Sequence, residues 1–184
     1  MKAQEFNEIW HSIAQEQLLK SGFIRIGNTY IALSGTTLLQ FSKQTQKTNF
    51  HGFMYGYTHT FFPKWAEEYP SKWPLNWEEL MLVFSQENLK ECAQKGLEKR
   101  AVLALDYSNG KRNLLEDFLM IDLEDWSEAR ITEYVSESVA LAQNEGLRIL
   151  YDLNPSVSAN ILKGNVKDTY MPQIWLNLLR ENGA

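Results

Sequence analysis

Cysteine is nearly missing from this chain. Cys92 stands alone among 184 residues, so no disulfide within the chain can staple the fold, and a reducing compartment is expected. Long apolar runs are missing too. No uninterrupted stretch, Ala101 to Leu105 included, exceeds five residues, far short of the roughly twenty that a helix needs to span a bilayer. Glu5, Glu8 and Glu16 interrupt the first helical stretch, which excludes a secretory signal and an Arg-rich transit peptide. A soluble, cytoplasmic protein with no membrane contact is expected. Histidine is scarce, with only His11, His51 and His59. No Gly-rich phosphate loop, nucleophile elbow, zinc-protease helix pair, Cys-x-x-Cys or EF-hand loop occurs. Neither a cofactor nor a metal is expected from such a sequence.

Aromatic residues, by contrast, are plentiful. Six Trp, eight Tyr and nine Phe accompany an apolar fraction of 44%, ample for a core and incompatible with a disordered chain. The net charge is −5, which disfavours a nucleic-acid binder dependent on phosphate neutralisation. The charge is also uneven. Residues 1–75 carry 7 basic and 5 acidic side chains, whereas residues 76–184 carry 11 and 18. An acidic half either is a solvated surface or steers the protein toward a basic partner.

The pattern predicts a single α+β domain over residues 1–184, with an N-terminal helix on a mainly antiparallel sheet and further helices in the C-terminal half. Phe6, Ile9, Trp10 and Ile13 repeat at helical spacing over 4–20, with Ala14 and Leu18 extending the stripe, and Ser21-Gly22 ends it. Strands follow at Phe23 to Ile26, Tyr30 to Leu33, Thr37 to Thr45 and Phe50 to Thr60, with turns at Gly27-Asn28, Ser34-Gly35 and 46–48. Such short connections require antiparallel neighbours. Residues 61–77 hold Pro63, Pro70 and Pro74, so a continuous helix is not expected there. Asn76 is a cap for a short helix over Trp77 to Phe84, and Ser85 or Gln86 starts another that ends at Gly96. Asn109-Gly110 after Ala101 to Ser108 signals a hairpin, in competition with one long helix over 87–106. Leu119, Ile121 and Leu123 alternate as a half-buried strand. Asp125 and Glu128 have capping-box spacing, opening a helix through Ile131, Tyr134, Val135, Ser138, Val139 and Ala142 that stops at Gly146. Leu147 to Leu153 reads as strand or helix. Asn154-Pro155 starts a further helix ending at Gly164, and a last one runs from about Pro172 to Glu181.

The stretch from Phe50 to Thr60 carries the most information about a site. Alternation puts His51, Phe53, Tyr55, Tyr57 and His59 on one face and Gly52, Met54, Gly56, Thr58 and Thr60 on the other. The ring row is either the core face beneath a helix or the floor of a pocket whose hydroxyls and imidazoles converge on a ligand. His51 and His59 are about 27 Å apart at strand rise, too far for one metal. Phe61, Trp65, Tyr69, Trp73 and Trp77 then place an aromatic at every fourth residue, and 10 of the 23 aromatics fall between positions 50 and 77. These rings either anchor an irregular loop or form a binding surface. Too few basic residues sit among them for nucleic-acid stacking. The acids Glu116, Asp117, Asp122, Glu124 and Asp125 read mainly as a solvated face, the alternatives being a cation site or an acid/base pair.

The first third of the chain also carries a resemblance. An amphipathic helix through Phe6, Ile9, Ile13 and Leu19 leads into Ser21-Gly22-Phe23-Ile24-Arg25-Ile26-Gly27-Asn28-Thr29-Tyr30 and a strand ending Leu38-Leu39-Gln40-Phe41-Ser42-Lys43. Over residues 5–60 this resembles the bacterial domain-of-unknown-function family forty-three-oh-four. The resemblance implies a helix followed by a sheet and supplies no catalytic residues. It also implies a role of toxin–immunity or other protein-binding type, an analogy at fold level. The resulting expectation is a small bacterial binding protein that contacts a protein or small ligand. Its candidate contacts are Arg25, His51, Tyr55, Tyr57, His59, Trp65, Tyr69 and Trp73. The alternative is a hydrolase-type enzyme that uses His51 or His59 with Tyr55, Tyr57 or Arg25.

Overall fold

The computed structural model describes residues 1, 3–46, 50–62, 75, 80–97, 118–165 and 170–184. It is an α+β fold, with an N-terminal helix, an antiparallel sheet and further helices in the C-terminal half. Helix α1 (Ala3–Lys20) buries Phe6, Trp10, Ala14 and Leu18, one residue in every four, while Ile9 and Ile13 are half-buried beside them. Gly22 ends it at φ 86°, a conformation that costs glycine little because it has no Cβ.

Strands β1 (Ile24–Ile26), β2 (Thr29–Ser34), β3 (Thr37–Gln46) and β4 (Phe50–His59) follow as a meander. The registers Ile26↔Thr29 and Ser34↔Thr37 leave two-residue turns at Gly27-Asn28 and Gly35-Thr36. Gly27 and Gly35 take the positive φ that such tight turns demand. The second edge of β4 is shared. Strand β5 (Leu82–Phe84) pairs with Tyr55 to Tyr57, and the two-residue β6 (Ile121–Asp122) pairs with Phe50 and His51. Leu82 to Phe84 is therefore a strand, not the end of a helix begun at Asn76, because a free edge of β4 accepts it.

Helix α2 (Gln86–Lys95) begins where expected, with the Ser85 hydroxyl accepting from Asn88 N. Gly96, at φ 88°, closes it, so no single helix runs through 87–106. Helix α3 (Glu128–Leu141) starts later than its acidic spacing suggests. Ser127, not Asp125, is its cap and accepts from Arg130 N at 3.3 Å. Asp125 instead sits in the preceding turn, its amide donating to Asp122 O. Nor does Gly146 stop the helix. The chain passes through a π turn (Ala142–Gly146) straight into α4 (Leu147–Asp152), which resolves the ambiguous segment as helix. Asn154 caps α5 (Pro155–Asn165), accepting from the amides of Ser156 and Val157. Helix α6 is Tyr170–Glu181, with Trp175, Leu176 and Leu179 buried.

The described helices lie against one face of the sheet, the face bearing Tyr30, Leu39, Phe41 and the β4 rings. Among the described residues, Leu75, Leu80, Leu119 and Met120 lie against the opposite face. Gln40, almost wholly buried, grips Leu75 with both ends of its amide: Nε2 donates to Leu75 O at 2.8 Å and Leu75 N donates to Oε1 at 2.9 Å. Among the described residues no helix is long and apolar enough to cross a membrane. The turn at Lys47-Thr48, the expected hairpin at Asn109-Gly110 and the acids Glu116 and Asp117 lie outside the described residues.

Candidate functional site

Strand β4 sorts its side chains as alternation requires, and both faces are buried from His51 to His59. The His51, Phe53, Tyr55, Tyr57, His59 row faces the helices. His51 stacks on Phe6 of α1 with centroids 4.8 Å apart, and its Nδ1 lies 3.1 Å from Thr45 Oγ1. Phe53 packs 4.7 Å from Trp10 and 5.5 Å from both Phe41 and Tyr134. The tyrosines reach further. Tyr55 donates its hydroxyl to Ser138 O of α3 at 2.9 Å, and Tyr57 donates to Gly146 O in the π turn at 3.0 Å. Burial pushes both phenols well above the usual tyrosine range, so they remain neutral donors. His59 Nε2 lies 2.7 Å from Ser158 Oγ on α5, while Phe61 stacks on its ring. Desolvation lowers its pKa to about 4.

Every polar tip of this row named above thus meets an internal partner. Relative exposure is 1% at His51 and 0% at Tyr55, Tyr57 and His59, so the row is a packed layer between sheet and helices and not the floor of an open pocket. Arg25 is elsewhere. It is exposed on β1, separated from β4 by β2 and β3, and donates to Gly27 O at 2.9 Å and Gln15 Oε1 at 3.1 Å. Trp65, Tyr69 and Trp73 lie outside the described residues.

The histidines sit at opposite ends of β4, in register with Thr45 and Thr37. Among the described residues no three His, Cys, Asp or Glu side chains gather as a metal site would require. Asp122 serves the local backbone, accepting from Glu124 N at 2.9 Å.

A surface feature emerges instead between α2 and α3. A groove of about 180 Å³ has Leu119, Trp126 and Tyr134 along its floor. Leu119 is 47% exposed there, a bare leucine among charges. Glu87, Glu133 and Glu137 rim it. Among the described residues its two cations are engaged within the molecule: Lys90 lies 3.5 Å from Glu87, and the Arg130 guanidinium lies over the Trp126 ring at 3.8 Å. On the far side of α3, Glu128, Thr132, Glu133 and Ser136 line an open shelf, so Glu133 belongs to both concavities. Volume decides what the groove suits. Small-molecule sites usually enclose several hundred Å³, whereas this one has room for one or two side chains of a partner.

The chain matches no protein-family model, no curated protein and no solved structure.

Sequence reasoning missed the groove because its walls come from three separated stretches, near residues 86–90, 119–126 and 130–137. The available signal was Trp126, a large ring beside a helix whose outward positions are glutamates.

Proposed function

We propose that the protein is a binding protein, of the kind that operates in toxin–immunity pairs, and that it receives a basic protein partner along α3. The observation that carries this reading is the exposed Leu119 beside Trp126 in a groove whose three glutamates, Glu87, Glu133 and Glu137, outnumber its internally engaged cations Lys90 and Arg130. Apolar contact at the centre with charge at the rim is the usual anatomy of a protein interface. Among the described residues, neither Glu128 nor Glu133 has an ion-pair partner, which leaves their field directed outward to speed the approach of a cationic surface. The acidic balance of residues 76–184 points the same way. The resemblance of residues 5–60 to a bacterial family is consistent with the toxin–immunity setting. A hydrolase reading would need water and substrate to reach His51 or His59, and both rings are enclosed.

The test compares wild type with the Glu133→Lys/Glu137→Lys double variant as baits in the native host, with captured proteins read by mass spectrometry. The expected result is one basic protein held by wild type, at least tenfold depleted on the variant, with unchanged melting temperature since both positions are exposed. Equal capture by both baits, or a partner without excess positive charge, overturns the reading.

A further inference from the structure

The His59 ring is enclosed by groups from several parts of the chain. Thr37 at the start of β3 lies on one side, with Oγ1 3.4 Å from Nδ1. Ser158 of α5 lies on the other, and Phe61 and Phe62 cover the ring by stacking and edge contact. Thr37 spends its single hydroxyl proton on Leu153 O at the end of α4. It can therefore only accept from the imidazole, which places the ring proton on Nδ1 and the lone pair on Nε2. The Ser158 hydroxyl must then donate to Nε2. Seen this way, the hydrogen bond between sheet and α5 has one polarity, and that polarity requires a neutral ring.

We propose that His59 is an acid-sensitive latch, whose neutral ring holds the α5–α6 helix pair on the sheet through Ser158 and whose protonation lets the pair go, uncovering Phe62 and Trp175.

A proton on Nε2 turns the acceptor into a donor, so the Ser158 hydroxyl has to swing its hydrogen away. It also places a positive charge where nothing among the described residues offsets it. Thr37, Ser158, Phe61 and Phe62 carry no charge and do not titrate. Charged groups on the neighbouring helices point outward: Asp152 on α4, Lys163 on α5, and Arg180 and Glu181 on α6 are all exposed. Asp152 is further occupied by Arg148 at 3.6 Å. Burying an unpaired charge is costly, so the proton is bound by a state in which the ring has reached water. The released part is a compact piece. Ser158, Ala159, Ile161 and Leu162 of α5 and Trp175, Leu176 and Leu179 of α6 are buried, and Trp175 stacks on Phe62 at 5.6 Å. The sign follows from the lowered pKa. Closure is fully favoured above the ordinary histidine value of 6.5 and weakens as pH falls toward about 4.

The experiment is amide hydrogen exchange on the full chain between pH 7 and pH 4.5, corrected for intrinsic exchange rates, with histidine ring ¹⁵N shifts recorded on the same samples. Protection of α5 and α6 should fall roughly thirty-fold from pH 7 to pH 5 while β2 and β3 keep theirs, as expected for a group that gains its proton only on release. At pH 7 the ring should carry its proton on Nδ1. His59→Gln, which keeps one donor and one acceptor without titrating, should abolish the acid-dependent loss. Should that variant fail to fold, the ring shifts of the wild type still decide. An Nε2–H tautomer at pH 7, loss of protection that is uniform over the whole sheet, or an unchanged acid response in His59→Gln overturns the latch.

Discussion

The two faces of β4 are built from opposite materials and solve the same problem. On one face, rings with polar tips reach up to helix backbone and hydroxyl groups: Tyr55 to Ser138, Tyr57 to Gly146, His59 to Ser158. On the other, glycines let Leu80, Leu119 and Met120 settle against the strand. A Cβ built on Gly52 would stand 2.7 Å from Met120 Sδ and 2.9 Å from Leu119 O, and one on Gly56 would stand 2.1 Å from Leu80 Cδ1. The contrast teaches that both faces of a strand can be buried when one side is kept thick and the other thin. Helices need rings to fill the gap beneath them. Leu80, Leu119 and Met120 lie directly on the strand and need the space that side chains would otherwise occupy.

Substitutions can break this contrast, beginning with the thick side. Phe53→Ala removes a ring that touches Phe6, Trp10, Phe41 and Tyr134. A loss of about 3–5 kcal/mol in urea unfolding is expected, because four neighbours on two helices and the adjacent strand cannot all collapse into the void. On the thin side the fault is overpacking. Gly52→Ala should cost about 1–3 kcal/mol, since the carbonyl of Leu119 belongs to backbone and cannot turn aside. Gly56→Ala should cost less, as the nearest atoms in its way all belong to the Leu80 side chain. Combining it with Leu80→Ala should give a penalty smaller than the sum of the two, a coupling that a double-mutant cycle reads directly.

Subtler changes sharpen the comparison without disturbing shape. Tyr55→Phe and Tyr57→Phe each remove one hydroxyl and leave the ring in place, and about 1 kcal/mol apiece is expected from chemical denaturation. Tyr55→Phe should fall at the lower end, because Ser138 O also accepts from Ala142 N and so keeps a partner. If either loss matched that of Phe53→Ala, hydrogen bonding and not ring volume would govern the thick side.

Much of this was legible along the chain. The fourfold spacing of Phe6, Trp10, Ala14 and Leu18 marks the buried side of α1, and the glycine turns at 27 and 35 fix the meander. Alternation from His51 to His59 correctly separates rings from glycines. What alternation does not encode is the cover. The groups that meet Tyr55, Tyr57 and His59 lie 83, 89 and 99 residues further along, and no local pattern links a tyrosine to a helix carbonyl at that separation. The short apolar run Leu82 to Phe84 misleads for a related reason. Three residues carry no period, and only the open edge of β4 makes them a strand. Ser127 and Asp125 are both good caps by type, so the choice between them rests on the turn that Asp122 O organises. Gln40 gives no warning either, since its partner is main chain and any residue at position 75 would present the same groups.

The π turn at Ala142–Gly146 has one more consequence. A π turn takes up one extra residue in a widened turn, so the helix runs on through α3 and α4 with its buried side kept. α3 buries Tyr134, Val135, Ser138 and Val139, while α4 buries Ile149 and Leu150. A single-residue deletion between Ala142 and Gly146 would tighten the widened turn to an ordinary α turn, leaving Ile149 and Leu150 on the buried side but displacing the Gly146 carbonyl to which Tyr57 donates.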